Sequence, residues 1–273
     1  MTDVDHAAYL DAKRGLDDRS LNRDVLRAFA DALPPEPTVL EVGAGTGTMV
    51  QRLHEWGVIE GGQWVAIDTH EEAIRAGRRR LASHPDGRTD EGAADDERLI
   101  RLGDLVVDLR VGDAFEFVGS TDRRFDAVAG CAFFDVVDAE PAVERLGDVA
   151  PLAYAPITYA GETALSPADP EDDAVLDAYH RHMREYRAGG PEGAAALARA
   201  AASVVAEGPS PWRIEPPYTT ADETVLGHLL DTIERAVGET GYDASDWAAR
   251  RRGALAAGEL SYRARNRDLL VQL

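Results

Sequence analysis

Val39-Leu40-Glu41-Val42-Gly43-Ala44-Gly45-Thr46-Gly47-Thr48-Met49-Val50 runs from an apolar strand through a glycine-rich turn into the start of a helix. Glycine has no Cβ, so Gly43, Gly45 and Gly47 let the chain turn tightly and let a ligand approach the backbone. The helix that follows points unpaired N–H groups at whatever is bound. The dinucleotide fingerprint Gly-x-Gly-x-x-Gly is not met, because its sixth position is Thr48 and the third glycine comes one residue early. Glu41 closes the strand. A carboxylate about 4 Å from a ligand charge in a partly shielded site contributes roughly 4 kcal/mol of raw Coulomb energy, so it repels a diphosphate and attracts an ammonium.

Three further signals follow in order. Gln63-Trp64-Val65-Ala66-Ile67-Asp68 is a second buried strand ending in an acid, with Asp68 lying 25 residues beyond Gly43 and Thr69 beside it. An acid at that point can accept hydrogen bonds from both ribose hydroxyls of a nucleoside. A third strand within Leu105 to Val111 ends in Gly112-Asp113-Ala114-Phe115. Phe125-Asp126-Ala127-Val128-Ala129-Gly130-Cys131-Ala132-Phe133-Phe134-Asp135 is a fourth strand and its exit loop.

Glu41-x-Gly43-x-Gly45-x-Gly47 resembles motif I of the class I S-adenosylmethionine (SAM)-dependent methyltransferases, whose cofactor carries an ammonium, a sulfonium and no phosphate. Asp68 resembles the acid of motif II, and Phe125-Asp126-Ala127-Val128 the opening of motif IV. The resemblance implies SAM as cofactor and S-adenosylhomocysteine as product. It implies Glu41, Gly43, Ala44, Gly45, Gly47, Asp68, Thr69, Asp113, Ala114 and Cys131 as cofactor-binding residues. Asp113 would meet the adenine amino group, with helix capping as its alternative. Asp135 stands where the family often presents a side chain to the methyl acceptor, and reads equally as a first-turn helix acid. Tyr-Ala-Gly-Glu at Tyr159, Tyr179-His180, Pro211-Trp212 and the arginine-rich terminus resemble a little-characterised branch of the family.

In many members an N-terminal helix lies across the cofactor mouth. Residues about 5 to 32 read as such a helix, interrupted at Asp17 to Asn22, with Ser20 or Asp18 as the cap of a second helix. Tyr9, Lys13, Arg19 and Asn22 become lid candidates. His84 to Arg98 reads as an exposed loop. Leu152 to Tyr159 is the fifth strand, where Pro156 opposes full pairing, and Gly161 to Asp173 reads as a link. Ala174 to Arg187 is a helix in the region where the family places substrate-selecting elements. Asp135, Tyr159 and His180 are the candidate catalytic groups, in that order, should the acceptor need to lose a proton; a histidine on a helix surface is the plainer alternative for His180. His180 and His182 are two apart and fall on different helix faces, so no metal site is expected. Glu215-Pro216-Pro217-Tyr218 imitates the tetrad of amino-methylating enzymes but follows the sixth strand.

The 273 residues hold 50 acidic and 29 basic side chains, for a formal net charge of -21, and Lys13 is the only lysine. That composition looks like a protein of a halophilic archaeon, with an acid-rich surface from a high-GC genome as the alternative. One cysteine fits a reducing cytoplasm, and no apolar run approaches the roughly 20 residues that span a bilayer. The charge disfavours nucleic acid, leaving a small-molecule acceptor first and a protein side chain second. A SAM-binding protein without transferase activity and a nicotinamide-dependent oxidoreductase remain as alternatives. The expected architecture is an α/β protein with a seven-stranded, mostly parallel, doubly wound sheet. Its parts would be an N-terminal lid (1–35), a Rossmann-like core (36–160), a helical insertion (161–200) and closing elements of the same domain (201–273).

Overall fold

A computed structural model describes residues 3–89, 99–186 and 188–273. The chain begins with helices α1 (Asp3–Ser20) and α2 (Arg23–Ala32), followed by β1 (Thr38–Val42), α3 (Thr48–Glu55), β2 (Gly61–Asp68) and α4 (Glu71–Ala82). Next come β3 (Gly87–Thr89), β4 (Leu99–Leu102), β5 (Asp104–Val111), α5 (Ala114–Ser120), β6 (Ala127–Ala129) and α6 (Ala139–Gly147). The remainder comprises β7 (Leu152–Ser166), α7 (Asp172–Tyr186), α8 (Gly193–Ala200), β8 (Ser203–Pro209), β9 (Trp212–Ile214), α9 (Thr220–Glu239), α10 (Ser245–Ala256) and β10 (Ser261–Gln272). No helix among the described residues is long and apolar enough to cross a membrane.

The strands form one mixed sheet in the order β3-β4-β5-β2-β1-β6-β7-β10-β8, with β9 paired to β10. The five central strands, β5 to β7, are parallel. Their alternating side chains explain the two covering layers. Val39, Trp64, Ala66 and Ala129 pack toward α2, α3 and α4, whereas Leu40, Val42, Val65, Ile67 and Val128 pack toward α5, α6 and α8. The order reverses at β1, where β2 lies on one side and β6 on the other, which is where open α/β sheets leave a crevice for ligands. This order fits the class I methyltransferase fold.

The sheet has ten strands among the described residues rather than the expected seven. β3, β4 and β9 are three or four residues long, too short to show a period of two. β3 replaces part of the loop expected at His84 to Arg98; residues 90–98 of that loop lie outside the described residues. The expected link at Gly161 to Asp173 is also revised, since Glu162 to Ser166 continue β7 and pair with Arg265 to Ser261. Pro156 sits at a bulge, as the sequence implied: Thr158 pairs with Arg267 but Ala155 with Leu269.

A third core lies beyond the end of the central sheet. Leu16 of α1, Val175 and Met183 of α7, Val225 and Leu230 of α9, Trp247 of α10 and Tyr262 of β10 pack into a helical cap. The helix break between α1 and α2 is capped by Asn22, not by Ser20 or Asp18; its Oδ1 accepts from the Asp24 and Val25 amides at 3.1 and 3.2 Å.

Candidate functional site

The glycine turn is as tight as its sequence anticipates. Gly43, Gly45 and Gly47 have φ of +63°, +55° and +69°. A Cβ on Gly43 would meet Phe133 at 2.9 Å and one on Gly45 would meet Leu10 at the same distance. The end of β2 closes the turn, with the Ala44 amide donating to Ile67 O at 3.0 Å and the Gly45 amide to Asp68 Oδ2 at 2.8 Å. Asp68 Oδ1 accepts from the His70 amide at 2.8 Å. Oδ1 also lies 3.0 Å from His70 Nδ1, so the second lone pair of Oδ2 is the one that faces a ligand hydroxyl.

α1 lies across this turn. Leu10 covers Gly45, and Asp11 accepts from Thr46 Oγ1 at 3.0 Å and from Arg80. Of the lid candidates, Tyr9 and Lys13 face the space beneath the helix. Arg19 instead pairs with Asp222 of α9, and Asn22 caps α2 while donating to Pro209 O at 3.1 Å. Those two hold the lid in place.

Between the turn and the helical cap lies a cavity of about 1400 Å³. Glu41, Gly43, Ala44, Gly45, Asp68, Thr69, Asp113, Ala114 and Cys131 all line it, as do Asp135 and Tyr159. Gly47 does not; it starts α3 as the N-cap residue. Asp113 caps α5, its Oδ1 accepting from the Phe115 and Glu116 amides at 2.8 and 2.9 Å, while its residue still borders the cavity. Lys13 and Arg235 are the only lysine and arginine on the wall among the described residues, against acids that include Asp17, Glu41, Asp68, Asp113 and Asp135. Such a wall opposes a diphosphate.

Glu41 differs from the expected standing anion. It is buried at 2 % exposure, and burial pushes its carboxyl up to about 8, with the Trp64 indole N–H donating to Oε2 at 2.6 Å and Arg52 pulling the other way. At neutral pH burial therefore favours the protonated carboxyl. Burial likewise pushes the Cys131 thiol up to about 12, which leaves a protonated, poorly nucleophilic sulfur.

The candidate catalytic groups converge. The Tyr159 hydroxyl lies 2.8 Å from His180 Nε2 and 2.8 Å from Thr163 Oγ1. Burial, reinforced by Arg184, lowers the His180 pKa and so favours the neutral imidazole. Burial raises that of Tyr159, with Asp135 among the groups that add to it. His180 itself stands behind Tyr159 and off the cavity wall. Asp135 is held by close backbone packing: a Cβ on Gly193 would meet its Cα at 2.7 Å.

Sequence reasoning missed Asn266. It is buried at 4 % exposure on the cavity wall, and its Nδ2 has no hydrogen-bond partner among the described residues. Its signal was present in β10, where Arg263, Arg265 and Arg267 alternate with the inward-facing Tyr262, Ala264, Asn266 and Asp268. Trp212 and Lys13 complete this end of the cavity, with Lys13 Nζ 3.1 Å from Asp17 and 5.3 Å from the Trp212 ring centre. Burial opposes the Lys13 charge more than any single neighbour supports it, but Asp17, Cys131 and Tyr9 together raise its pKa and keep the ammonium.

No protein-family model matches the chain, and no curated protein matches it in sequence. Among solved structures, it is similar to a SAM-dependent methyltransferase from Thiobacillus denitrificans in complex with S-adenosylhomocysteine (16% identity, 91% of this chain and 92% of that one, TM-score 0.45). It is also similar to the cyclopropane synthase MmaA2 from Mycobacterium tuberculosis (10% identity, 100% and 99% covered, TM-score 0.48). A third is the putative methyltransferase solved with the Haloferax volcanii Trm112 activator (17% identity, 97% and 98% covered, TM-score 0.47). Each of these similarities covers nine-tenths or more of both chains.

Proposed function

We propose that the chain is a SAM-dependent methyltransferase acting on a small molecule held between the glycine turn and the helical cap. The observation that carries this reading is the left-handed Gly43-Ala44-Gly45 turn, clasped by Asp68 and facing an acid-lined cavity whose volume exceeds the roughly 300–1,000 Å³ of an ordinary ligand pocket. The residues fit the cofactor: Gly43 and Gly45 bring left-handed backbone to the cavity wall, Asp68 offers an acceptor to a ribose, and Glu41 offers a carboxyl to a cation. When bound, SAM supplies an activated methyl group for in-line displacement.

The protein's own work is then alignment and exclusion of water. α1 covers the glycine turn through Leu10 and Asp11, and the apolar cap excludes solvent from the far end. Where the acceptor loses a proton, the Tyr159 hydroxyl receives it and passes its own to neutral His180 Nε2. Asp135 borders the same space as a second acceptor of hydrogen bonds. The acid wall and the aromatic lining of Tyr159, Tyr179, Trp212 and Tyr262 favour a neutral or cationic small acceptor over a phosphorylated one. We further assign the chain to a reducing, salt-rich cytosol, on composition.

Calorimetry with SAM, S-adenosylhomocysteine and NAD tests the cofactor. Binding of the first two with no NAD binding is expected; tight NAD binding without SAM would establish an oxidoreductase. Labelled methyl transfer from SAM to the small-molecule fraction of a cell extract tests the reaction. Label entering only protein would reassign the acceptor, and cofactor binding with no labelled product would leave a SAM-binding protein.

A further inference from the structure

Outside the cavity, the far ends of α3 and α4 bring together residues that neither the fold nor the methyl-transfer reading uses. His54 lies in the last turn of α3. His84 and Asp86 belong to the tight turn after α4, closed by the Gly87 amide donating to His84 O at 2.8 Å. That turn is rigidly placed: a Cβ on Gly87 would fall 2.1 Å from Leu81 O, and the Gly103 amide donates to Asp86 O at 3.0 Å. One donor atom from each of His54, His84 and Asp86 lies within 4.8 Å of the other two.

We infer that His54, His84 and Asp86 form a binding site for a divalent transition-metal ion of the zinc class. His54 Nε2 is 3.3 Å from Asp86 Oδ2, and His84 Nδ1 is 3.9 Å from the same oxygen. Ligands bound tetrahedrally at about 2.0–2.1 Å stand about 3.3 Å apart, so one pair is already at coordination spacing and the other needs a small contraction. Imidazole and carboxylate donors suit zinc, cobalt and nickel. With Nδ1 on the metal, the His84 Nε2–H faces Glu55 Oε1, 3.5 Å away, which supplies the carboxylate partner that orients metal-bound histidines. The ion displaces the Asp86 amide, 3.2 Å from Nδ1. Both imidazoles are largely shielded while Asp86 is 59 % exposed, leaving an entry path and a fourth position for water. The ion would clip α3 to the α4–β3 turn without touching the glycine-turn cavity. This departs from the metal-free expectation drawn from His180 and His182.

The test is calorimetry of chelator-treated, buffer-exchanged protein with Zn(II) and with Co(II), together with the visible spectrum of the Co(II) form and Tm with and without Zn(II). One ion per chain, tetrahedral Co(II) absorption and a raised Tm are expected. His84→Ala and Asp86→Ser should each weaken binding by at least about 100-fold, and Glu55→Gln by about 10–100-fold. Asp86 is exposed, so its variant should fold, as circular dichroism will check. Absence of binding, or binding undiminished in both ligand variants, would overturn the site.

Discussion

Glu41 illustrates how burial alters the meaning of a sequence position. Its folded pKa of about 8 stands above the ordinary glutamate value of 4.5, so between those values the native protein holds a proton that the unfolded chain has released. Its contribution to stability is therefore complete below pH 4.5 and is lost as the pH rises toward 8. Glu41→Gln should flatten that decline, so urea unfolding at pH 5 and pH 8 should show the variant gaining on the wild type at the higher pH. An unchanged pH slope would refute the assignment. SAM binding at pH 7 should release a proton, seen as a buffer-dependent binding enthalpy that Glu41→Gln abolishes. Asn266 makes the opposite point. Among the described residues its Nδ2 is an unmatched buried donor, a condition that costs about 1–3 kcal/mol. Asn266→Leu should keep or raise Tm and leave SAM affinity unchanged, while acceptor KM rises about tenfold, equivalent to about 1.4 kcal/mol; lowered SAM affinity would argue against a role toward the acceptor. For Tyr159→Phe, the phenolic link to His180 is removed. With an acceptor that must lose a proton, kcat should fall by about 100-fold or more and lose its dependence on an ionisation below neutrality, read from the pH profile.

At the scale of elements, the junction of β7 and β10 sets the shape of the cavity. The bulge leaves Ile157 at φ +56°, a costly conformation for a β-branched residue. Asp268, fully buried, holds it by accepting from the Ile157 amide at 2.8 Å, and its other oxygen accepts from the Asn22 amide at 2.8 Å. One carboxylate thus ties the bulge that carries Tyr159 to the start of α2. Burial raises the Asp268 pKa, opposed by those two amides and by Ser210. Asp268→Ala should cost about 2–4 kcal/mol, because it strands two buried N–H donors, and should loosen α1 and Tyr159 together. Chemical denaturation measures the first effect and hydrogen exchange at the Asn22 and Ile157 amides the second. A loss below 1 kcal/mol would show that water replaces the carboxylate.

For the whole molecule, a net charge of -21 implies self-repulsion that dissolved ions screen. The urea midpoint should rise steeply between salt-free buffer and about 1 M KCl, where the screening length falls to about 3 Å. A flat salt dependence would leave the acidic composition as mere surface chemistry.

The parallel core was legible because its signals are local: an apolar strand before Gly43-Ala44-Gly45, an acid after Trp64-Val65-Ala66-Ile67, and a period of two or 3.6 in the helices and longer strands. Short strands such as Trp212–Ile214 were not, since three residues carry no period. The pairing of Asn266 with Tyr159 across 107 positions, the meeting of Tyr159 and His180, and the protonation of Glu41 depend on β10 returning antiparallel to β7 and on what that packing excludes. Backbone turns and strand termini are written in neighbouring residues. Charge states and distant encounters arise only when folding removes water and brings separate strands side by side.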